Sequence, residues 1–240
     1  MRTQKIEFPG KEVLCVFPAE RSELGPAISE MRLNDGYPVI VLVGGEIEEQ
    51  KAEITNRAIK IISGIADDLN ALVICGGTDM GVMAEIGQVR WTSGYTFPLI
   101  GVTLESLVTW TEGPRSTSFL WWGKKRLELA PHFSHFILVP GSQFGDESPW
   151  IVDAATILSH DHRSVTILIN GSDVSRKDID LSLAIGRPVI ALSRTGQLAD
   201  ELATDPDRHK LISVIPANSD DRIIEGIRSA ILTVEQMKQP

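Results

Sequence analysis

The sequence predicts an α/β fold of the Rossmann-like class, a doubly wound and mainly parallel sheet of about seven to eight strands with helices on both faces. Two observations predict it. Short apolar, β-branched runs recur along the 240 residues, each bounded by Gly, Pro or Asn, and helical patterns lie between them. Within a run, apolar residues do not alternate with polar ones, as expected of strands that helices cover on both faces.

Eight runs have the length and composition of strands, and eight strands fit one sheet. No linker, low-complexity segment or repeat other than the βα unit separates them, so we expect a single domain over residues 1–240. The predicted strands are Val13–Phe17, Val39–Val43, Leu72–Cys75, Leu99–Thr103, Phe136–Val139, Val165–Ile169, Val189–Leu192 and Ile212–Ile215.

Helices are predicted between the strands. Apolar residues recur at helical spacing over 54–65 and again over 223–234. Asn218, Ser219 and Asp220 precede the second stripe and supply capping side chains and negative charge, so the last helix is expected to begin there.

The segment 104–133 interrupts this alternation. It contains Trp110, Trp121 and Trp122 and the basic run 124–126. An ordinary crossover helix with buried tryptophans is the favoured interpretation, because aromatic side chains are most often core residues. A lid over the site or a contact between subunits is the alternative.

The charge of the chain restricts its partners. The net charge is -9 and the pI is near 5.1, so nonspecific binding to nucleic acid or to acidic membranes is not expected. No run approaches the roughly 20 apolar residues of a membrane-spanning helix, and the charged opening of the chain is unlike a signal peptide. We therefore expect a cytoplasmic protein.

The cysteines and histidines do not predict a metal or redox site. Cys15 and Cys75 lie inside predicted strands, where a free cysteine usually acts as a small core residue. His, Cys and carboxylate residues do not recur at the spacing of a zinc site, so no metal is predicted.

Four predicted strands end in small, flexible turns, which are the candidate binding site. In a parallel sheet, ligands bind beyond the carboxyl ends of the strands, where helix N-termini offer unpaired N–H groups to an anion. Glycine lets the backbone approach phosphate oxygens, and hydroxyl groups add donors. The candidate residues are Gly44, Gly45, Gly76, Gly77, Thr78, Gly141, Ser142, Asn170 and Gly171.

Two charged residues near the strand ends are further candidates. Asp79 precedes a predicted helix, where it either caps the helix or binds a ribose hydroxyl. Arg194 lies between Ser193 and Thr195 in the turn after a predicted strand. Because a guanidinium group matches phosphate oxygens bidentately, Arg194 is the predicted phosphate clamp, and a solvated loop arginine is the alternative.

Five segments, taken in order, resemble the SLOG domain, and in particular the prokaryotic stand-alone form (LSDAT) of the SLOG domain found in melastatin-type transient receptor potential channels. The resemblance covers the chain from about residue 39 to the C-terminal helix. The segments are GGTDMGVM (76–83), LAPHFSHFILVPGS (129–142), GDESPW (145–150), LINGSD (168–173) and RPVIALSRTGQLADELA (187–203).

The resemblance implies a Rossmann-like sheet that binds nucleotides or nucleotide derivatives, and for this branch ligands related to ADP-ribose or NAD. It implies that the glycine turns, together with Ser193, Arg194 and Thr195, form the site. A homo-oligomer is also compatible with it.

Enzymatic relatives of the SLOG domain, the LOG phosphoribohydrolases formerly called lysine decarboxylases, carry a PGGxGTxxE motif whose glutamate takes part in cleaving an N-glycosidic bond. The corresponding stretch here is PGSQFGDE (140–147), which differs in the second glycine, the threonine and the glutamate spacing. If the chain is an enzyme, Asp146 or Glu147 is the candidate catalytic carboxylate. Otherwise both belong to the start of the following helix.

The favoured hypothesis for function is a ligand sensor, in which the domain binds a nucleotide derivative and transmits its occupancy to a partner or to another subunit. A nucleotide N-glycosidase is the second hypothesis. A single-strand nucleic-acid site built from Trp121, Trp122 and 124–126 is a distant third, because the chain is acidic. A nicotinamide oxidoreductase is disfavoured, since the GxGxxG fingerprint is absent from the sequence.

Overall fold

A nine-stranded sheet organises the part of the chain that a computed structural model describes, residues 1–33, 36–110, 126–160 and 164–236. The strands are β1 (Arg2–Phe8), β2 (Lys11–Phe17), β3 (Val39–Gly44), β4 (Leu72–Cys75), β5 (Leu99–Leu104), β6 (Val108–Thr109), β7 (Leu127–Glu128), β8 (His135–Val139), β9 (Ser164–Ile169), β10 (Val189–Ser193) and β11 (Ile212–Pro216). The helices are α1 (Leu24–Glu30), α2 (Ala52–Asp68), α3 (Gly81–Thr92), α4 (Ser148–Ser159), α5 (Asp173–Ala184), α6 (Gln197–Thr204) and α7 (Asp220–Gln236).

The order of strands in the sheet is β1-β2-β8-β5-β4-β3-β9-β10-β11, and every neighbouring pair is parallel except β1 and β2. Strands β6 and β7 form a separate two-stranded parallel pair. The predicted α/β class with a mainly parallel sheet is confirmed, and all eight predicted strands are present.

The chain changes direction across the sheet at β3. From β3 it proceeds through β4 and β5 to β8 on one side, and it then returns to place β9, β10 and β11 on the other. Strands β3 and β9 are paired in register from Val39 opposite Ser164 to Gly44 opposite Ile169. The carboxyl ends of these two strands are therefore the topological switch point, where a doubly wound sheet opens a crevice.

Helices cover both faces of the sheet. One core is formed with α2, α3 and α7, and the other with α1, α4, α5 and α6. The predicted stripe over 54–65 lies on α2, where Ala58, Ile59 and Ile62 are buried, and the stripe over 223–234 lies on α7, where Ile223 and Ile227 are buried. Burial on both faces explains why the central strands are apolar throughout.

Strand β1 is the element that the apolar pattern does not predict. It pairs antiparallel with β2 through a turn at Pro9 and Gly10, whose φ of 81° is the left-handed conformation that glycine adopts readily. Only Ile6 of β1 is buried. An edge strand with one solvated face alternates polar and apolar residues, so a search for continuous apolar runs misses it.

The segment 104–133 is described at its two ends. The described parts contain the short strands β6 and β7 and no α-helix, so the predicted crossover helix does not occupy them. Trp110 packs on the core with its ring 6.3 Å from that of Phe17. Residues 111–125, including Trp121 and Trp122, lie outside the described residues, and so does the predicted lid or subunit contact.

Burial accounts for the state of both cysteines. Cys15 and Cys75 are buried in β2 and β4. Burial raises the pKa of both thiols, that of Cys75 to about 12. None of the described helices has the length and apolar composition needed to cross a bilayer.

Candidate ligand-binding site

A cavity of about 290 Å³ opens at the switch point, beyond the carboxyl ends of β3, β4 and β5 and beside the N-termini of α3, α4 and α5. This volume is near the lower end of the roughly 300–1,000 Å³ typical of small-molecule sites. Apolar side chains form most of its wall, among them Leu42, Val43, Met80, Met83, Ile151 and Val174. The cavity therefore suits a largely apolar group with a few polar contacts.

Glycine is required where the loops of the cavity meet. A Cβ on Gly44 would lie 2.7 Å from the carbonyl oxygen of Ile169, across the switch point. A Cβ on Gly81 would lie 2.1 Å from the carbonyl oxygen of Gly45, and Gly81 also has a φ of 50°. The first turn of α3 thus packs directly on the loop after β3, which fixes the floor of the cavity.

Two buried carboxyl groups line the cavity. Glu147, just before α4, is 7% exposed, and Asp178, on α5, is 8% exposed. Glu147 Oε2 accepts a hydrogen bond from the N–H of Gly145 at 2.8 Å. Asp178 Oδ1 is buried and has no hydrogen-bond partner among the described residues.

Burial raises the pKa of both groups. The pKa of Asp178 is raised to about 7, first by burial and further by the charge of Glu147, against the opposing effects of Ser148 and Lys177. The pKa of Glu147 is raised by burial and by Asp146, although its backbone hydrogen bonds act in the opposite direction. Two carboxyl groups in one poorly solvated cavity do not both ionise readily, so the pair holds a proton near neutral pH.

Apart from Lys177, whose charge acts on both carboxyl groups from outside the cavity wall, the surroundings of the pair are acidic or apolar. Glu46 also lines the cavity, and no lysine or arginine does so in the described part of the chain. Perturbed carboxyl groups in a concave site are typical of functional residues. A phosphate group placed deep in this cavity would meet negative charge without a compensating cation.

The structure separates the predicted site residues into two groups. Gly44, Gly45, Gly76, Thr78 and Glu147 line the cavity. The predicted residues that do not line it are Gly77, Asp79, Gly141, Ser142, Asp146, Asn170, Gly171, Ser193, Arg194 and Thr195.

Asn170 ties together the loops at the carboxyl edge of the sheet. Its side-chain carbonyl accepts hydrogen bonds from the N–H groups of Gly45, at 2.8 Å, and Gly171, and its amide donates to the carbonyl of Glu46 at 2.8 Å. Its own N–H donates to the hydroxyl of Thr195 at 2.8 Å. The predicted backbone donors of Gly45 and Gly171 are therefore already engaged, and Asn170 and Thr195 are buried ties between loops.

Asp146 holds the loop after β8 in place by accepting hydrogen bonds from its backbone N–H groups. Its Oδ2 accepts hydrogen bonds from the N–H groups of Ser142, at 2.9 Å, and Gln143, at 3.2 Å. These bonds lower the pKa of Asp146. The carboxylate occupies the position at which this turn would bind an external anion.

The prediction that Asp79 caps a helix is wrong. Helix α3 begins at Gly81 after Met80, and no side chain caps it. The N–H of Asp79 donates instead to the carbonyl of Glu128, while its carboxylate is exposed and lies near His132. The N-cap residue is Met80, which has the extended backbone usual at this position but no side-chain oxygen to accept a hydrogen bond from the first turn.

Arg194 lines a second cleft, of about 380 Å³, which also contains Lys51 and Arg57. Arg57 binds Asp220 through two hydrogen bonds of 2.7 and 3.2 Å, and Lys51 Nζ lies 3.6 Å from Asp200. The exposed guanidinium of Arg194 makes no hydrogen bond or ion pair with another described residue. We name this second cleft the basic cleft, after the three cations Lys51, Arg57 and Arg194 that line it.

The loop from β3 to α2 connects the two concavities. Gly44, Gly45 and Glu46 line the cavity, and Gln50 and Lys51 line the basic cleft. One continuous segment thus borders both the acidic, mostly apolar cavity and the basic cleft.

Three residues of these sites were not predicted from the sequence. Asp178 follows Ser175 by three residues and precedes Ser182 by four, so polar residues occupy the buried stripe of α5, which is a detectable anomaly. Lys51 and Arg57 lie at the start of α2, where the apolar stripe indicates a helix but gives no sign of a site. Among the described residues, no three His, Cys, Asp or Glu side chains come close enough to hold a metal ion.

The fold is shared with solved structures of low sequence identity. The structural-genomics target TM1055 matches with a TM-score of 0.55 and 18% identity, over 80% of this chain and 98% of that one. The molybdenum cofactor binding protein from the phototrophic bacterium Rippkaea orientalis matches with a TM-score of 0.52 and 18% identity, over 81% of this chain and 98% of that one. No curated protein matches the chain in sequence.

These likenesses define a Rossmann-like α/β domain. The family model described as SLOG in TRPM, prokaryote, matches residues 37–238, and the chain belongs to this family. The resemblance predicted from the five sequence segments is confirmed.

Proposed function

We propose that the domain binds a nucleotide derivative related to ADP-ribose or NAD along the carboxyl edge of its sheet and acts as a ligand sensor. The observation that supports the proposal is the pairing of a cavity at the switch point with the basic cleft on the same loop. Doubly wound sheets bind their ligands at this position. Membership of the SLOG family supports the same class of ligand.

The distribution of charge suggests how such a ligand lies. The Glu147–Asp178 pair holds one proton and keeps one negative charge, which repels phosphate from the cavity, so the cavity takes the uncharged part of the ligand. Arg194, with Lys51 and Arg57 beside it, attracts the phosphate groups to the basic cleft. A net charge of -9 does not oppose this arrangement, because Arg194 acts at contact distance and has no ion-pair partner among the described residues. Lys51 and Arg57, by contrast, are paired with aspartates, and Glu53 also lines the cleft.

A thermal-shift panel of AMP, ADP-ribose, NAD and cyclic nucleotides tests the proposal. The Rippkaea relative is named for binding molybdenum cofactor, so this cofactor belongs in the panel as a rival ligand. At a hundred times the dissociation constant, a ligand stabilises the folded state by about 2.7 kcal/mol, which a thermal shift detects. A panel without any nucleotide-dependent shift would contradict the proposal.

Arg194→Gln tests the phosphate position. The loss of a charge-assisted contact is expected to weaken ADP-ribose binding roughly 10–100-fold. Arg208→Gln is the matched control. Arg208 is exposed in the loop before β11, at the amino ends of the parallel strands, whereas Arg194 follows the carboxyl end of β10. Equal weakening by both substitutions would indicate a general charge effect and not a clamp.

A nucleotide N-glycosidase is the second candidate, and the buried Glu147–Asp178 pair is the observation that favours it. Of the two predicted catalytic carboxylates, Glu147 is the better placed, since Asp146 is held by Ser142 and Gln143. Chromatography of each ligand after incubation tests this. Release of a free base that Glu147→Gln abolishes, with binding retained, supports catalysis; a bound ligand that stays intact excludes it.

A further inference from the structure

Of the buried side-chain polar atoms that lack a hydrogen-bond partner among the described residues, only one belongs to a residue that lines the switch-point cavity, and that residue is Asp178. Asp178 Oδ1 is buried on the wall of the cavity without a well-formed hydrogen bond among the described residues, although the neighbouring Ser148 hydroxyl interacts with the carboxyl group and favours its ionised form. Folded proteins satisfy nearly all buried polar side-chain atoms, and the exceptions require an explanation. An incoming ligand that supplies the missing partner explains this one.

The wall of the cavity restricts the chemistry of that partner. It is mostly apolar, it carries two other carboxyl groups from Glu46 and Glu147, and no described cation lines it. An anionic group does not fit such a wall. A flat, largely apolar heterocycle with a polar edge suits a wall of this composition.

The charged groups around Asp178 favour its neutral form. Glu147 faces it from the start of α4 and disfavours ionisation, whereas Lys177 on its own helix and the hydroxyl of Ser148 have the opposite effect. Strands β3, β9 and β10, on which α5 packs, contribute no charged side chain. Asp153, the charged residue of α4, is engaged by Arg21 at the surface. Burial, with Glu147 beside it, outweighs the stabilising contacts and raises the pKa of Asp178 to about 7.

A neutral carboxyl group presents an O–H donor next to a carbonyl acceptor. This is the same pair of groups that the amide of Asn or Gln offers when it binds the edge of adenine. Adenine has an N–H donor at N6 and an acceptor at N1 on adjacent positions, so one neutral carboxyl group satisfies both.

We infer that Asp178, in its protonated form, recognises the adenine base of the ligand in the switch-point cavity, donating its O–H to N1 and accepting from N6–H. The inference rests on the proposed function and adds where the adenine base of such a ligand binds and which residue recognises it. It also makes binding dependent on one proton, which is lost when Asp178 ionises.

Adenosine is the probe, because it carries no phosphate whose own ionisation would change with pH. Its affinity for the full chain, measured by calorimetry between pH 6 and 9, is expected to fall about tenfold per pH unit above the pKa of Asp178. At pH 6.5, 1-deazaadenosine, which lacks the N1 acceptor, is expected to bind at least tenfold more weakly. The isosteric 7-deazaadenosine retains the whole edge and is expected to bind as adenosine does.

Asp178→Asn provides the matched variant. Its amide keeps a donor next to an acceptor at every pH, so adenosine is expected to bind with an affinity that does not change from pH 6 to 9. Asp180→Asn, on an exposed position of the same helix, is expected to keep the wild-type pH profile. Because the deaza series uses only wild-type protein, the test does not depend on the folding of any variant.

Several results would overturn the inference while leaving nucleotide binding intact. These are ADP-ribose binding together with a flat or rising pH profile for adenosine, equal affinity for 1-deazaadenosine, or an unchanged profile in Asp178→Asn. A rising profile with preference for guanosine would indicate that an ionised Asp178 reads a donor–donor edge. Failure of ADP-ribose and adenosine to bind at any pH would overturn the proposed function itself.

Discussion

At the scale of single residues, the carboxyl group of Asp178 is buried on the wall of the cavity, where its charged form is disfavoured. Burying an ionisable group without a partner disfavours its charged form, and here Glu147 adds repulsion. Folding therefore binds a proton at Asp178. A position that costs stability and lines a cavity is typical of residues that serve a ligand.

Asp178→Asn is expected to be more stable than the wild type, by a difference in the free energy of unfolding that grows as the pH rises. The folded-state pKa of about 7 lies above the ordinary 3.8, so the stability that protonated Asp178 provides is present below pH 4 and is lost as the pH rises toward 7. Between pH 5 and 8 this stabilisation falls over the two pH units that separate pH 5 from the folded-state pKa of about 7. The free energy of unfolding of the wild type therefore decreases by roughly 2–3 kcal/mol relative to Asp178→Asn.

Urea unfolding of both proteins at pH 5 and pH 8 measures this difference. The stability advantage of Asp178→Asn over wild type should be larger at pH 8 than at pH 5 by that amount. An advantage that is the same at both pH values would mean that Asp178 is ionised in the folded protein and that burial does not raise its pKa.

At the scale of elements, one buried side chain joins the loops that follow β3, β9 and β10. Asn170 has a left-handed φ of 50° and is 1% exposed. Its amide engages backbone groups of Gly45, Glu46 and Gly171. These bonds set the separation of β3 and β9 at the switch point, and so the shape of the cavity.

Asn170→Ala is expected to lower the free energy of unfolding by roughly 2–4 kcal/mol, because it leaves the buried N–H of Gly171 and the half-buried N–H of Gly45 without their acceptor. Asn70→Ala is the matched control. Asn70 has a similar φ of 47° but is exposed, so its substitution carries the same backbone strain without the buried hydrogen bonds. Chemical denaturation of both variants measures the two losses in the free energy of unfolding. Equal losses would mean that Asn170 has only a conformational role and that its hydrogen bonds add no stability.

The elements were predictable to different degrees. Central strands such as Val39–Gly44 are buried on both faces, so their apolar runs identify them in the sequence. Strand Arg2–Phe8 has one buried residue, Ile6, and its pattern is that of a solvated edge. Start signals for helices were weaker still, since Asp79 does not cap α3.

The site was predictable in position but not in chemistry. Glycine turns after strands indicated the carboxyl edge of the sheet as the binding site, which stays a prediction, and Gly44, Gly45, Gly76 and Thr78 line the cavity at that edge. Sequence pattern cannot show that Asn170 and Asp146 already occupy the backbone donors of neighbouring turns, because such bonds depend on loop conformation. Nor does it bring together Glu147 and Asp178, which are 31 positions apart and meet only through the packing of α4 on α5.

At the scale of the whole molecule, charge is divided between two neighbouring concavities. The switch-point cavity is acidic and mostly apolar, and the basic cleft holds Lys51, Arg57 and Arg194. A ligand with a neutral base at one end and phosphate at the other matches this division. The chain as a whole is acidic, so under the proposed function the basic cleft is expected to bind a small anionic ligand in preference to a polyanion.

Calorimetric titration of ADP-ribose into wild type and Ser172→Trp tests the central claim most directly. Ser172 is exposed at the N-terminus of α5, lines the cavity and makes no capping hydrogen bond, so a tryptophan there obstructs the cavity without disturbing the core. We predict saturable binding of one ADP-ribose per wild-type chain and a loss of at least tenfold in affinity in Ser172→Trp. Absence of saturable binding, or equal affinity in the two proteins, would contradict the assignment of the cavity as the ligand site.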